Sequence, residues 1–113
     1  MHRSAHVDRF ARDNLPPPEQ WPEFLESPDT RYPARMNATI ELLDRMVANG
    51  HGDSIALRPA EASCTYAQLQ ARVDAIAHVL RGRMGLVPGN RVLLRGTNNP
   101  MMAACLLAVI KAG

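Results

Sequence analysis

Two cysteines, five aromatic residues and one lysine are all that this chain of 113 residues holds of those types, and each scarcity excludes something. Cys64 and Cys105 stand 41 positions apart in apolar surroundings, with no CxxC pair and no histidine partner. They read as two reduced, buried thiols rather than a disulfide framework or a metal ribbon. The few aromatics and the scattered basic residues leave no stacking platform for nucleic acid. A net charge of +2 is too small to argue for nucleic acid or an anionic membrane. Arginine outnumbers lysine twelve to one, which codon usage in a GC-rich bacterial genome explains more simply than a phosphate-binding surface. No long hydrophobic run exists. The longest, Met101 to Ile110, is far short of the ~20 residues that cross a bilayer. MHRSAHVDRF lacks the apolar core of a signal peptide. GxGxxG and GxxxxGK[ST] are both absent, so no standard nucleotide loop is present. The expectation is a cytoplasmic protein with neither a membrane nor a nucleic-acid partner.

What is present divides in two. Residues 1–36 hold six of the nine prolines, and five arginines balance six acids. This composition predicts an irregular arm lying across a larger body. Glu19 to Leu25 is expected to form one short helical turn, with Trp21, Phe24 and Leu25 as the anchors that pin the arm down.

From residue 37 the patterning becomes regular. Asn37 reads as an N-cap, and Ile40, Leu43, Met46 and Val47 then fall on one helical face. Asn49-Gly50 supplies a stop. Ser54 to Arg58 reads as a strand ended by Pro59, and after the short AEAS connection SCTY pairs back as a hairpin. Thr65 and Gln68 make a T-x-x-Q capping box. Behind it Leu69, Val73, Ile76, Ala77 and Leu80 form an apolar stripe through Ala67 to Arg81, ended by Gly82 and Gly85. LVPGN is a turn. Arg91 to Arg95 reads as a short strand of a parallel sheet covered on both faces. Asn99-Pro100 opens a last helix, with Gly113 as its C-cap.

That last helix is apolar nearly all round, through Met101, Met102, Cys105, Leu106, Leu107, Val109 and Ile110. Helices of this kind are buried on most sides. Strand, turn and helix are two-thirds of a βαβ unit whose returning strand is missing. Leaving about five such side chains exposed forgoes roughly 1.5–3 kcal/mol each, on the order of 10 kcal/mol in all. A whole domain is stable by only about 5–15 kcal/mol. The expectation is therefore the N-terminal piece of something longer, marginal, sticky or oligomeric on its own.

Few residues suggest chemistry directly. His51, Asp53 and Ser54 are triad types crowded into one turn, which suits a loop better than a nucleophile, base and orienter. The histidines at 2, 6, 51 and 78 lack ligand spacing, although His2 and His6 would meet if the first residues were helical. His78 is expected on an exposed helix flank. The loop Gly96-Thr97-Asn98-Asn99 follows a strand and opens a helix, where α/β proteins often put ligands, but helix capping by Asn99 also accounts for it. Arg81 and Arg83 sit where a helix C-terminus favours cations.

Several stretches, taken in order, resemble the adenylate-forming superfamily of acyl- and aryl-CoA synthetases, luciferases and nonribosomal adenylation domains. SIALRP followed by CTYAQLQARVDAIAHVL resembles its first core motif, a strand and then a Thr-Tyr-x-x-Leu helix start. GLVPGNRVLL resembles its G-x-x-x-G-D-x-V turn and strand, with Asn90 where Asp is commoner. LLAVIKAG resembles the opening of its second core motif. DNLPPPEQWPEF and RYPARMNATIELLD are most similar to the benzoate and 2-aminobenzoate CoA ligase branch.

The resemblance implies an α/β fold: the N-terminal portion of the family's large domain, with a β-hairpin, amphipathic helices and an incomplete βαβ unit. Residues 1–36 would be its Pro-rich arm and residues 37–113 the start of the AMP-binding domain. It implies an intact enzyme that uses ATP, Mg²⁺ and CoA to turn an aryl carboxylic acid into acyl-AMP and then acyl-CoA. Within the 113 residues it implies no catalytic, cofactor-binding or metal-binding residue. The phosphate loop, the Tyr-x-x-Thr-Glu segment, the ribose-binding Asp and the catalytic Lys of such enzymes have no counterpart here. Thr65, Tyr66, Leu69 and Lys111-Ala112-Gly113 match structural positions. The expected partner is the rest of the ligase chain. The alternative is a non-catalytic truncated product, or a module that self-associates or binds a partner through its apolar last helix.

Overall fold

Asparagine, threonine and asparagine open the three long helices. The computed structural model describes residues 4–25, 27–59 and 63–113. Helix α1 spans residues 38–51, α2 Tyr66–Gly82 and α3 Pro100–Ala112. Asn37 Oδ1 accepts the N–H groups of Thr39 and Ile40 at 3.1 and 3.4 Å. Thr65 and Gln68 close the expected capping box, at 3.2 and 3.0 Å. Asn99 Oδ1 accepts from Met102 N at 2.9 Å, with Pro100 in the first turn, where its missing N–H costs nothing.

Helix α1 is wound more loosely than an α-helix. The Arg45 N–H reaches Ile40 O, five residues back. The face turned inward carries Thr39 and Leu43, both buried, while Ile40 stays exposed. The expected stripe is thus corrected at its first position. Gly50, at φ +87°, takes the left-handed conformation in the last turn of the helix, one residue before its end, where Asn49-Gly50 predicts a stop.

Ile55–Leu57 (β1) and Cys64–Thr65 (β2) form the predicted antiparallel hairpin, shorter than expected. Ile55 pairs with Thr65 and Leu57 with Cys64, with an irregularity between the pairs. Residues 60–62 of the connection lie outside the described residues. Ser54 O accepts from Tyr66 N and Gly52 O from Ala67 N, so the segment before β1 satisfies donors in the first turn of α2.

The core lies where α2 meets α3. Leu69, Val73 and Ala77 of α2 are buried, and so are Ala104, Ala108 and Ala112 of α3. The alanines recur every four residues, so they share one side of the helix. Leu43 and Cys64 complete the cluster, with Leu57, Ile76, Leu80 and Leu107 partly buried around it. Three of the larger apolar residues of α3 face away: Leu106 is 53% exposed, and Met101 and Ile110 are exposed as well.

Three expectations differ from what is seen. Arg91–Arg95 is irregular and has no ladder partner among the described residues, and Leu93 is 93% exposed. A strand needs a neighbour for its N–H and C=O groups, and the one sheet described has only β1 and β2. The arm is irregular, with short turns at Phe10–Asp13, Pro18–Gln20 and Pro28–Thr30. The helical turn expected over residues 19–25 stops at Gln20, because Trp21 precedes Pro22 and is extended, as a residue before proline prefers. Trp21, Phe24 and Leu25 are not anchors: all three are exposed, Leu25 to 91%. The Trp21 indole N–H bonds only within the arm, to Pro16 O at 2.8 Å.

Packing on small residues should make α3 sensitive to size on one side only. Ala108→Leu is expected to lower unfolding stability by about 1–3 kcal/mol, through overpacking of a fully buried position. Leu106→Ala, on the outer side, should cost less than about 1 kcal/mol. Urea unfolding midpoints of the two variants check the contrast.

Candidate functional site

The strongest convergence of polar side chains lies at the C-terminal end of α3. Lys111 Nζ reaches Asp44 of α1 at 2.8 Å and also pairs with Asp74 of α2. Gln70 Nε2 donates to Asp44 Oδ1 at 2.8 Å. One ammonium thus ties all three helices together. Burial alone would lower the Lys111 pKa, but bonds to Asp44 and Asp74 outweigh it and raise the value above the usual 10.5. Burial would raise the Asp44 pKa, yet the bonds from Lys111 and Gln70 bring it below 3.8. A lysine held protonated is no nucleophile, and a carboxylate held ionised is a poor proton donor. The cluster is built for cohesion.

Beside it a second tie closes the helix end. Asn37 Nδ2 donates to the carbonyls of Ile110 and Lys111 at 2.9 and 3.3 Å. Thr39 Oγ1 donates to Leu107 O at 2.7 Å. Thr39 has no exposed surface, and this bond satisfies its hydroxyl.

A third polar group joins the arm to the body. Asp8 Oδ1 accepts from Phe10 N at 2.9 Å, and Oδ2 accepts from Asn90 Nδ2 and Arg91 Nη1 at 2.8 and 3.1 Å. The Phe10 bond, then the Asn90 bond, lower its pKa against the effect of burial, and the Arg91 charge adds to them. The Arg91 guanidinium carbon lies 4.4 Å from the centre of the Phe10 ring, a cation–π contact.

The residues singled out in the sequence do not converge. His51, Asp53 and Ser54 share a turn in which Ser54 N bonds His51 O at 3.0 Å, but no hydrogen bond links their side chains among the described residues. His2 lies outside the described residues. Among those described, no three His, Cys, Asp or Glu side chains could hold a metal ion together. Cys64 is buried and Cys105 half-buried, both free thiols. Asn99 caps α3 and donates to Thr97 Oγ1 at 3.0 Å, so its polar atoms are used within the loop. A hollow of about 230 Å³ beside it is lined by Leu57, Arg58, Pro59, Asn98 and Pro100, among others. His78 and Arg81 are exposed and share a hollow of about 560 Å³ with Ile40, Ala77, Leu86 and Pro88. Neither hollow brings a nucleophile to a base. No helix among the described residues is long and apolar enough to cross a membrane.

Sequence reasoning missed Asp8, Thr39, Asp44 and Asp74. The one available signal was Lys111, the sole lysine, standing at the end of an otherwise apolar helix.

Comparison with known proteins adds what the geometry cannot. The family model of the AMP-binding enzymes matches residues 44–113. The salicyl-AMP ligase / salicyl-S-ArCP synthetase of Mycobacterium tuberculosis is 39% identical over 70 residues, which are 62% of this chain and 12% of that protein. The 3-hydroxybenzoate–CoA/4-hydroxybenzoate–CoA ligase of Thauera aromatica is 35% identical over 78 residues, 69% of this chain and 15% of the relative. The benzoate–CoA ligase of the same organism is 31% identical over 86 residues, 76% of this chain and 16% of the relative. The chain therefore spans well under a quarter of the length of these relatives. No solved structure gives a significant match.

Lys111→Met should remove the charge clamp and lower stability by roughly 1–3 kcal/mol, since Asp44 keeps only Gln70. The pH dependence has a definite sign. Asp44, with its folded pKa depressed, contributes stability above the ordinary carboxylate range and loses it as pH falls through the folded value. Lys111, with its folded pKa raised, contributes below 10.5 and loses it as pH rises through the folded value. The stability difference between wild type and Lys111→Met is expected to hold constant through neutral pH and to narrow below about pH 4. Urea titrations at a series of pH values measure it.

Proposed function

This chain belongs to the AMP-binding enzyme family, and we propose that it forms a structural part of an ATP-dependent ligase for an aryl carboxylic acid. One observation carries the reading: residues 44–113 match the family, and three relatives that overlap this stretch bear the names of aryl-acid ligases. The chemistry is activation of the carboxylate by ATP to an acyl-adenylate with release of pyrophosphate. A thiol then displaces AMP, and CoA is the acceptor proposed here. Such an enzyme must cradle a triphosphate, stabilise charge at the α-phosphorus and hold the carboxylate in line with it.

What these residues contribute is support. Their polar clusters hold helices to one another and the arm to the body, and none is poised for phosphoryl chemistry. The capping box at Thr65, the helix begun by Tyr66 and the Lys111 clamp are the positions where the family resemblance and the geometry coincide. In this reading Arg91–Arg95 gains a strand partner, and the outer side of α3 is covered by further sheet. That would complete the βαβ unit. The exposure of Leu93, Leu106 and Ile110 supports it. The same exposed side also suits self-association, the second reading. Sizing over a concentration series separates the two, because a discrete soluble dimer favours self-association.

The 113 residues alone are expected to show no ATP–pyrophosphate exchange dependent on benzoate, hydroxybenzoate, salicylate or 2-aminobenzoate. Clear exchange would overturn the division of labour proposed here. The same assay on a chain extended along its own reading frame, through a Ser/Thr/Gly-rich phosphate loop, is expected to give exchange with one of these acids. A frame that encodes no such loop would overturn the ligase reading.

A further inference from the structure

The turn Val87–Asn90 stands between two parts of the molecule that do not otherwise meet in sequence. Asn90 N bonds Val87 O at 3.1 Å, Pro88 takes the second position, and Gly89 the third at φ +95°. This is the pattern of a type II turn. Asn90 Oδ1 also accepts from Val87 N at 3.0 Å.

The central peptide group of this turn is used at both ends. Its carbonyl, Pro88 O, accepts from Val7 N at 2.8 Å and Asp8 N at 3.0 Å, both in the arm. Its N–H, on Gly89, donates to Gly113 O at 2.6 Å, just past α3. The arm lies so close that a Cβ on Gly89 would stand 2.9 Å from His6 Cβ and closer still to Asp8 O. Asp8 then locks the approach through Asn90 and Arg91.

Type I and type II turns differ by rotation of the central peptide through about half a turn. Pro-Gly is compatible with both. Rotation here would turn the carbonyl away from the arm and the N–H away from Gly113 in one movement. We infer that docking of residues 7–10 and seating of the C-terminal end of α3 are coupled through the orientation of the Pro88–Gly89 peptide group. The turn is a two-state element that both contacts bias in the same direction, which is the physical requirement for coupling. Asn90 is the selective part. Its amide donates to Asp8, whereas an aspartate at this position would keep the bond to Val87 N but set one carboxylate against another. The inference is independent of the ligase reading.

Residue-resolved amide hydrogen exchange on the 113-residue chain tests it, using Asn90→Asp, Asp8→Ala and the exchanged pair Asp8→Asn with Asn90→Asp. Neither residue belongs to the helix–helix core, and Asp8→Ala removes the lock without touching the turn. In both single variants the amides of Val7, Asp8 and Gly89 are expected to exchange faster together, by about tenfold or more. The exchanged pair, which restores donor and acceptor in reverse, should bring Gly89 back toward the wild-type rate. Faster exchange at Val7 and Asp8 with Gly89 unchanged would overturn the coupling. Unchanged exchange at all three positions would show that Asp8 does not hold the arm, and would overturn it equally.

Discussion

Three alanines on one side of α3 set the distance at which everything else can happen. Ala104 and Ala108 let the helix backbone lie close against Leu69, Val73 and Ala77, and Ala112, buried on the same side, continues the small face. That close approach puts α3 within reach of short side chains on α1. Thr39 bonds a carbonyl at Leu107, and Asn37 bonds carbonyls at Ile110 and Lys111. It also brings Lys111 between Asp44 and Asp74. Small residues make the contact, and polar residues fix the helix along and around its axis. The division is economical, because dispersion between close surfaces carries no direction, whereas a hydrogen bond does.

Local chemistry was legible from sequence because it is written within four residues. The capping box at Thr65 and Gln68, the N-caps at Asn37 and Asn99, the stop at Gly50 and the hairpin around residues 55–65 follow from residue type and spacing. The stripe on α2 did too, since Leu69, Val73 and Ala77 repeat at helical intervals. Long-range polar pairing was not legible. Asp8 and Arg91 are 83 positions apart, and Asp44 and Lys111 are 67 apart. Nothing in either neighbourhood names its partner.

Two departures from the sequence pattern have physical causes. Trp21, Phe24 and Leu25 stay exposed although large apolar residues usually seek cover, because the arm is held by charge and backbone bonds at Asp8 instead. Arg91–Arg95 has the composition of a strand, yet a strand is a relation between two segments, and no ladder partner pairs with it among the described residues. Thr39 escapes a helical wheel because its hydroxyl is polar. With that hydroxyl donating to Leu107 O, it counts as interior. The family itself is legible, because ordered turns, caps and helix starts are a signature in their own right.

Asn37 shows what such double use demands of a sequence. Its oxygen closes the beginning of one helix while its nitrogen closes the end of another. Aspartate would serve the first helix and repel the carbonyls of the second, and serine is too short to span both. Position 37 therefore asks for a carboxamide, a narrower vocabulary than either helix would impose alone. A residue that looks interchangeable from its own helix is fixed by one that lies 73 residues away.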